Sequence, residues 1–133
     1  CGTWCYDLQT MTGLKGLFTL KDTPATGSLE SEVWVEIDPT HPIFEGHFPD
    51  QPVLPGVCMV QIALTIASAM HGKPLRMLNA RTIKFLTPVD PRISPELLFR
   101  TTLTTLENGI KAEVNATAGE ASVLKLSAEL VPE

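Results

Sequence analysis

The segment HPIFEGHFPDQPVLPGVCMVQ, residues 41–61, places a group suited to acid–base chemistry just before a long apolar stretch. His47 lies in a loop rich in glycine and proline, and an imidazole with an ordinary pKa of about 6.5 can exchange a proton near neutral pH. The pair Pro55-Gly56 follows, and the apolar run 57–70 predicts a buried helix that begins there. Residues 53–55 offer no side-chain acceptor for the helix start, so its first N–H groups are available to a carbonyl or anionic oxygen.

The predicted helix runs from Gly56 to His71 and is ended by Gly72 and Pro74. It is apolar on nearly every side, which predicts burial almost all round. Its polar side chains, Gln61, Thr65 and Ser68, are spaced four and three residues apart and so share one stripe. Such a stripe on a buried helix indicates a polar partner or a ligand along that side.

The remaining sequence predicts strands, because apolar and polar residues alternate between turn signals. Five prolines exclude regular structure from most of residues 38–55, and Asn108-Gly109 is the strongest hairpin signal. The expected order is two strands, one helix and four strands. A buried helix then needs a curved antiparallel sheet around it and a cover on the open side, most simply a second copy of the chain. The predicted strands are Gly16–Lys21, Ser28–Ile37, Leu78–Phe85, Leu97–Leu106, Ile110–Ala118 and Ser122–Val131.

Composition narrows the class of protein further. A chain of 133 residues with 44% hydrophobic and 19% charged residues predicts a single domain spanning residues 1–133. The net charge of −5 and pI near 5.1 argue against nucleic acid as a partner. The stretch 53–70 is too short and too interrupted by polar residues to span a membrane. No signal peptide is visible, and the three cysteines (Cys1, Cys5 and Cys58) favour reduced thiols in the cytoplasm, with Cys58 buried in the helix.

The histidines and cysteines do not have the spacing of a metal site, and we expect neither a metal nor a cofactor. His41 and His71 lack the loop context of His47. We interpret both as surface residues.

Two segments of the sequence resemble the signatures of a known family. FEGHFP at 44–49, followed by PVLPGV at 52–57, resembles the signature of 3-hydroxyacyl-[acyl carrier protein] dehydratases of the FabZ/FabA type. IKFLTPVDP at 83–91 resembles the second, weaker signature of the family, and the likeness covers about residues 28–107. The resemblance implies an α+β hotdog fold, in which an antiparallel sheet wraps one long central helix and the chains pair as dimers.

The resemblance also implies roles for individual residues. His47 would be the catalytic base, and the backbone N–H of Gly56, with that of Val57, would polarise the thioester carbonyl. Gln61 stands where the family has its second catalytic residue, a glutamate or aspartate. Substrate contacts would come from Phe48, Val57, Met59 and Thr65, where Thr65 replaces a frequent glutamine.

Gln61 can donate a hydrogen bond but cannot transfer a proton, which leaves three alternatives. His47 could act alone, taking the proton from carbon and returning it to the leaving hydroxyl while Gln61 only orients the substrate. Glu45 or Asp50 could supply the carboxylate instead. The chain could also bind acyl thioesters without dehydrating them.

The expected function is therefore dehydration of 3-hydroxyacyl thioesters in fatty-acid or related lipid biosynthesis. The thioester would be carried on acyl carrier protein or coenzyme A, and the protein would form a homodimer or a larger, dimer-based oligomer. The alternatives are a hotdog thioesterase and a non-catalytic acyl-thioester-binding subunit of a mixed dimer. The acyl chain is expected in an apolar tunnel beside Met59, Ile62, Leu64 and Ile66, and the carrier protein is expected to contact Lys73, Arg76, Arg81 or Lys84.

Overall fold

The structure, a computed structural model, describes residues 17–22, 24–41, 54 and 56–132. One helix and six strands lie in these residues, in the predicted order of two strands, one helix and four strands. Their bounds differ from the sequence prediction by at most three residues, and the helix has the predicted bounds. The elements are β1 (Phe18–Leu20), β2 (Glu30–Ile37), α1 (Gly56–His71), β3 (Leu75–Phe85), β4 (Glu96–Leu106), β5 (Gly109–Ala118) and β6 (Ala121–Pro132).

The six strands form one antiparallel sheet in the order β1-β2-β4-β5-β6-β3. Alternating side chains explain this sheet: in β4, Leu97, Phe99, Thr101 and Leu103 are buried on one face while the residues between them are less buried. β3 lies at one edge of the sheet and hydrogen-bonds only to β6 among the described strands. The single helix with its sheet confirms the expected α+β hotdog arrangement.

The core lies between α1 and the inward face of the sheet. Cys58, Ile62, Ile66 and Met70 are fully buried on the helix, and their regular spacing of four residues places them on one side. The opposite side is less covered, because Val57 is 65% exposed and Gln61 is only partly buried. Nine of the sixteen helix residues are buried and only Val57 is exposed. The single chain thus buries most of α1, and the second chain that the prediction invokes would cover the remaining side.

The C-terminal end of α1 follows the prediction. Gly72 adopts a positive φ of 86°, and its N–H donates to the carbonyl of Ser68 at 2.8 Å. A side chain at this position would also meet Thr26, because a Cβ would lie 2.6 Å from the Thr26 Cγ2 atom. Glycine ends the helix here because of both its backbone conformation and its lack of a side chain.

The β4–β5 hairpin differs by one residue from the prediction. Leu106 pairs directly with Gly109, so the two turn residues are Glu107 and Asn108, and Gly109 is already part of β5. A Cβ on Gly109 would lie 2.7 Å from the backbone oxygen of Leu130 on β6. The glycine therefore permits a close approach of β6 and does not serve as the second residue of the turn.

His41 is another correction, because it is only 8% exposed rather than on the surface. After β2 the chain turns sharply: the Thr40 N–H and hydroxyl both donate to Asp38 Oδ1, at 2.9 and 2.6 Å. The His41 N–H donates to the Asp38 carbonyl at 3.2 Å, so the turn brings His41 back against the protein. The hydroxyl and N–H of Thr40 also lower the pKa of Asp38. His71 is partly buried at the end of α1.

Candidate active site

The predicted site residues divide into two groups. His47 and Phe48, with the alternative carboxylates Glu45 and Asp50, lie outside the described residues. The helix residues Gly56, Val57, Met59, Gln61 and Thr65 are all described. The geometry of the site is therefore built from the start of α1 and the segments that hold it.

A hydrogen bond to the corner after β3 fixes the chain just before α1. The Leu54 N–H donates to the Val89 carbonyl at 2.8 Å, and both side chains are almost fully buried, at 2% and 1% exposure. The apolar contacts and the backbone bond thus hold the beginning of the helix against residues 86–95. This connects the two sequence signatures in space.

Asp90 gives that corner its shape. Its carboxylate accepts hydrogen bonds from the Arg92 N–H at 2.9 Å and from the Arg92 guanidinium at 3.1 Å. Its backbone oxygen accepts from the N–H groups of Ile93 and Ser94, at 3.0 and 2.8 Å. Hydrogen bonds from Arg92 lower the pKa of Asp90, so the carboxylate stays ionised at neutral pH. An exposed ion pair adds little stability, and the role of Asp90 is to hold this turn together.

The first turn of α1 offers hydrogen-bond donors. The N–H groups of Gly56, Val57 and Cys58 have no acceptor within the helix because they precede its first full turn. Among the described residues, no carbonyl outside the helix accepts from them. The first turn also carries no acidic side chain. The helix start therefore presents donors and the positive end of a helix dipole to an electron-rich oxygen.

Phe85, at the end of β3, forms an apolar wall beside these donors. A Cβ on Gly56 would lie only 2.7 Å from Cζ of the Phe85 ring, so the glycine allows the ring to contact the helix backbone. The ring is still 52% exposed. An apolar neighbour lowers the local polarity, and lower polarity strengthens hydrogen bonds from the amides to a negatively charged oxygen.

The three side chains of the predicted polar stripe on α1 differ in their hydrogen bonds. The Thr65 hydroxyl donates to the Gln61 carbonyl at 2.8 Å, and the Ser68 hydroxyl accepts from the Leu75 N–H at 3.1 Å. The side chain of Gln61 differs, because its Oε1 atom is buried and has no hydrogen-bond partner among the described residues. A buried polar atom without a partner typically costs about 1–3 kcal/mol. Of the three residues, Gln61 is the one whose side chain remains available to a ligand or a partner chain.

Gln61 and the helix-start donors lie within reach of one small molecule. Five residues separate Gly56 from Gln61, which corresponds to about 7.5 Å along the helix axis. Val57 lies one turn before Gln61 on the same side of α1. A short polar group with one oxygen at the helix start can therefore extend toward the Gln61 amide.

The four residues expected beside the acyl chain do not share one face. Met59, Ile62 and Ile66 are buried toward the sheet, whereas Leu64 lies on the less covered side with Gln61. The sequence motifs alone predicted no role for Phe85 or Leu54. The signal for Phe85 was present, because an aromatic residue directly precedes the proline-rich corner in the second signature.

Neither a metal site nor a membrane-spanning helix is found among the described residues. Within residues 17–22, 24–41, 54 and 56–132, no three His, Cys, Asp or Glu side chains are placed to hold a metal ion. No helix in those ranges combines the length and apolar character needed to cross a membrane. The groups gathered at the start of α1 are mainly N–H donors, which suit an oxygen with negative charge.

Comparison with known proteins gives the family. A family model for ApeI-like proteins, described as ApeI dehydratase, matches residues 24–122. The chain belongs to this ApeI-like dehydratase family. The 3-hydroxyacyl-[acyl-carrier-protein] dehydratase FabZ of Syntrophobacter fumaroxidans is 34% identical over 58 residues, covering 38% of this chain and 40% of that protein. The FabZ protein of Gluconobacter oxydans is 36% identical over 59 residues, covering 38% of this chain and 35% of that protein. The match thus spans two fifths or less of these relatives.

Solved structures support the fold. The dehydratase heterocomplex ApeI:P from Xenorhabdus doucetiae superposes with a TM-score of 0.64 at 21% identity, covering 85% of this chain and 96% of that chain. The conserved protein PA5202 from Pseudomonas aeruginosa gives a TM-score of 0.64 at 13% identity, with 92% and 93% coverage. The chain therefore shares its hotdog-type architecture with proteins of very different sequence.

Proposed function

We propose that this ApeI-like protein removes water from 3-hydroxyacyl thioesters in fatty-acid or related lipid biosynthesis. The main support is the start of α1, where the N–H donors and, one turn further along, the Oε1 atom of Gln61 have no hydrogen-bond partner among the described residues. Taking a proton from the carbon next to a thioester requires that the developing enolate oxygen be stabilised. Loss of one such donor typically slows an enzyme about 10²–10³-fold, so this requirement is the largest one.

The proposed reaction uses three groups. The thioester oxygen accepts hydrogen bonds from the N–H of Gly56 and of Val57, while the His47 imidazole takes the proton from C2. The electron pair of the C2–H bond forms the C2–C3 double bond, the C3–O bond breaks, and the hydroxyl leaves as water with the proton from His47. Gln61 orients the hydroxyl by a hydrogen bond, because its amide cannot supply a proton. Phe48 is also proposed to contact the substrate, whereas Met59 is buried toward the sheet and the Thr65 hydroxyl donates to the Gln61 carbonyl.

Gln61 also favours a second candidate, a non-catalytic subunit that binds acyl thioesters in a mixed dimer. Without general-acid assistance a reaction typically slows by about 10²–10⁴-fold. A partner chain with a carboxylic acid would then supply the missing proton. The Xenorhabdus doucetiae neighbour is itself a chain of a dehydratase heterocomplex.

We propose that the protein works as a pair of chains in the cytoplasm. Among the described strands, none pairs with the outer edge of β3, and apolar side chains are exposed beside it, including Phe85 and Val57. A second chain that pairs with this edge and packs on the open side of α1 would cover both. The buried free thiol of Cys58 fits a reducing compartment.

One assay separates the candidates. The purified protein is incubated with a 3-hydroxyacyl thioester and, separately, with the matching saturated acyl thioester, and enoyl product and free thiol are followed. Enoyl formation that is lost in His47→Ala supports the dehydratase. Thiol release without enoyl product indicates a thioesterase, and binding without either product indicates the non-catalytic subunit. Enoyl formation unchanged in His47→Ala would show that the base is another residue.

Gln61→Glu is the informative variant for the missing carboxylate. The site is partly buried, so burial should raise the pKa of the new carboxyl and keep a fraction of it protonated at neutral pH. We expect dehydration to rise tenfold or more if a proton donor is what the site lacks. Gln61→Met is the matched control, because it keeps the size of the side chain but removes its hydrogen bonds. If Gln61→Met turns over as fast as the wild type, Gln61 does not orient the hydroxyl.

A further inference from the structure

One short turn holds both ends of the connection that leads from β2 to α1. The Ile37 N–H, at the end of β2, donates to the Pro95 carbonyl at 2.7 Å. The Leu54 N–H, just before α1, donates to the Val89 carbonyl at 2.8 Å. Both acceptors belong to residues 89–95, which we call the anchor turn. The two ends of the connection are therefore attached at points only six residues apart in the chain.

Both attachments are buried. Ile37, Leu54 and Val89 are each no more than 2% exposed, and a hydrogen bond shielded from water is electrostatically stronger than an exposed one. On the β2 side, the Asp38 N–H adds a bond to the Leu17 carbonyl at 2.8 Å, which attaches the chain to the residue before β1. The positions of the two ends therefore depend on the shape of the anchor turn.

Asp90 gives the anchor turn its shape. Its carboxylate accepts from the Arg92 N–H at 2.9 Å, and an aspartate that bonds the backbone two residues further on is a common way to close a turn. Its backbone carbonyl accepts from the N–H groups of Ile93 and Ser94. The Arg92 side chain is 54% exposed, so its ion pair with Asp90 adds little to the stability of the fold. Loss of the carboxylate should therefore change the turn more than it changes that stability.

The connection attached in this way carries the proposed base. His47 lies between Ile37 and Leu54 in the sequence, and the proposed oxyanion donor Gly56 follows Leu54 by two residues. The base and the donors must act on the same thioester, and a misplacement of about 1 Å can slow a reaction about 10²-fold. Because the anchor turn holds the chain on both sides of His47, its shape influences the distance between the base and the donors.

We propose that Asp90 is a positioning residue for the dehydration: by closing the anchor turn, it holds His47 and the helix-start donors at the separation that the reaction needs. The inference rests on the proposed function. It adds a residue that acts through the chain it holds and not through the substrate. Its signature is a loss of turnover that exceeds the loss of stability, because the Asp90 ion pair itself stabilises the fold only slightly.

Asp90→Ala tests the positioning role with a 3-hydroxyacyl thioester of N-acetylcysteamine. We expect kcat to fall about tenfold, KM to stay the same, and the melting temperature to fall by no more than a few degrees. Asp90→Asn should restore most of kcat, because its amide oxygen can still accept from the Arg92 N–H. Glu113→Ala is the matched control, because it removes the carboxylate of another exposed ion pair, with Lys111, and it should turn over like the wild type.

Amide hydrogen exchange separates this inference from the proposed function. In Asp90→Ala, the N–H groups of Ile37 and Leu54 should exchange at least about tenfold faster, while those of β5 and β6 exchange as in the wild type. Absence of enoyl product from the wild type would refute the dehydratase, and the exchange rates would still decide whether Asp90 holds both ends of the connection. Unchanged exchange at Ile37 and Leu54, wild-type kcat in Asp90→Ala, or an equal loss of kcat in Glu113→Ala would overturn the inference.

Discussion

At the scale of single residues, the helix start depends on a contact between Gly56 and Phe85. A methyl group on Gly56 would lie 2.7 Å from the ring, closer than two carbon atoms can approach without displacement. The ring is partly exposed and can move aside, so the conflict is local. The absent side chain of Gly56 thus lets an aromatic wall approach the proposed oxyanion donors.

We expect Gly56→Ala to reveal this contact in a double-mutant cycle with Phe85→Ala. With Phe85 present, Gly56→Ala should cost about 1 kcal/mol of unfolding free energy, because the ring must shift. With Phe85→Ala, the same change should be neutral or stabilising, because alanine favours a helix more than glycine does. Urea unfolding of the four proteins measures the difference. Equal effects in both backgrounds would mean that the ring does not restrict this position.

The sequence correctly predicted that Cys58 is a buried apolar residue, and its burial raises the pKa of the thiol from 9.0 to about 11. The folded protein therefore holds this proton more tightly than the unfolded chain does. The resulting stability is fully present below about pH 9 and is lost as the pH rises toward 11.

This pKa predicts both reactivity and pH dependence. In a Cys1→Ser/Cys5→Ser background, Cys58 should react with iodoacetamide at pH 8 at least about a hundredfold more slowly in the folded protein than in urea. In the folded protein little of the Cys58 thiol is ionised, and the reagent cannot reach the buried sulfur. Unfolding free energy should fall between pH 9 and 11, and Cys58→Ala should flatten that slope. Rapid labelling of the folded protein at pH 8 would contradict the assigned burial.

At the scale of elements, hydrophobic periodicity predicted the helix and every described strand to within three residues. The polar stripe on α1 was also predicted, but not the separate roles of its members. Thr65 is satisfied by its own helix and Ser68 by Leu75. The second of these bonds depends on where the chain returns after the helix, which no local pattern encodes. The same limit applies to the hairpin at Asn108-Gly109: the hairpin itself was predicted, but the close approach of β6 that requires a glycine at position 109 was not.

Gly109, the first residue of β5, and Gly119, in the turn after β5, make a matched comparison. Gly119 has a positive φ of 61° and open space where a Cβ would lie, whereas a Cβ on Gly109 would meet a backbone oxygen at 2.7 Å. Gly119→Ala should cost about 1 kcal/mol of unfolding free energy from backbone strain alone. Gly109→Ala should cost about 2 kcal/mol or more, because two strands must separate. Urea unfolding compares the two, and a Gly109→Ala protein as stable as the wild type would contradict the close β5–β6 approach.

At the scale of the whole molecule, the exposed side of α1 and the free edge of β3 form one incomplete surface. The sequence predicted that a second chain covers the helix, because the helix is apolar on nearly every side and one sheet can cover only one side. The sequence did not predict that β3, the edge at which the second chain would pair, carries positive charges with no ion-pair partner among the described residues. β3 contains three charged side chains, Arg76, Arg81 and Lys84, and all are cationic. Any antiparallel pairing of β3 with its own copy therefore brings cations toward cations.

The charge on β3 predicts that salt favours the pair of chains proposed to form at this edge. Raising NaCl from about 50 to about 300 mM shortens the screening distance, so repulsion between two copies weakens and the dimer dissociation constant should fall about fivefold. Analytical ultracentrifugation measures this effect. Lys84→Gln should reduce the salt dependence of dimerisation, whereas Lys21→Gln, at the other edge, should leave it unchanged. A dimer that dissociates as salt is raised would show that copies of this chain do not pair through β3.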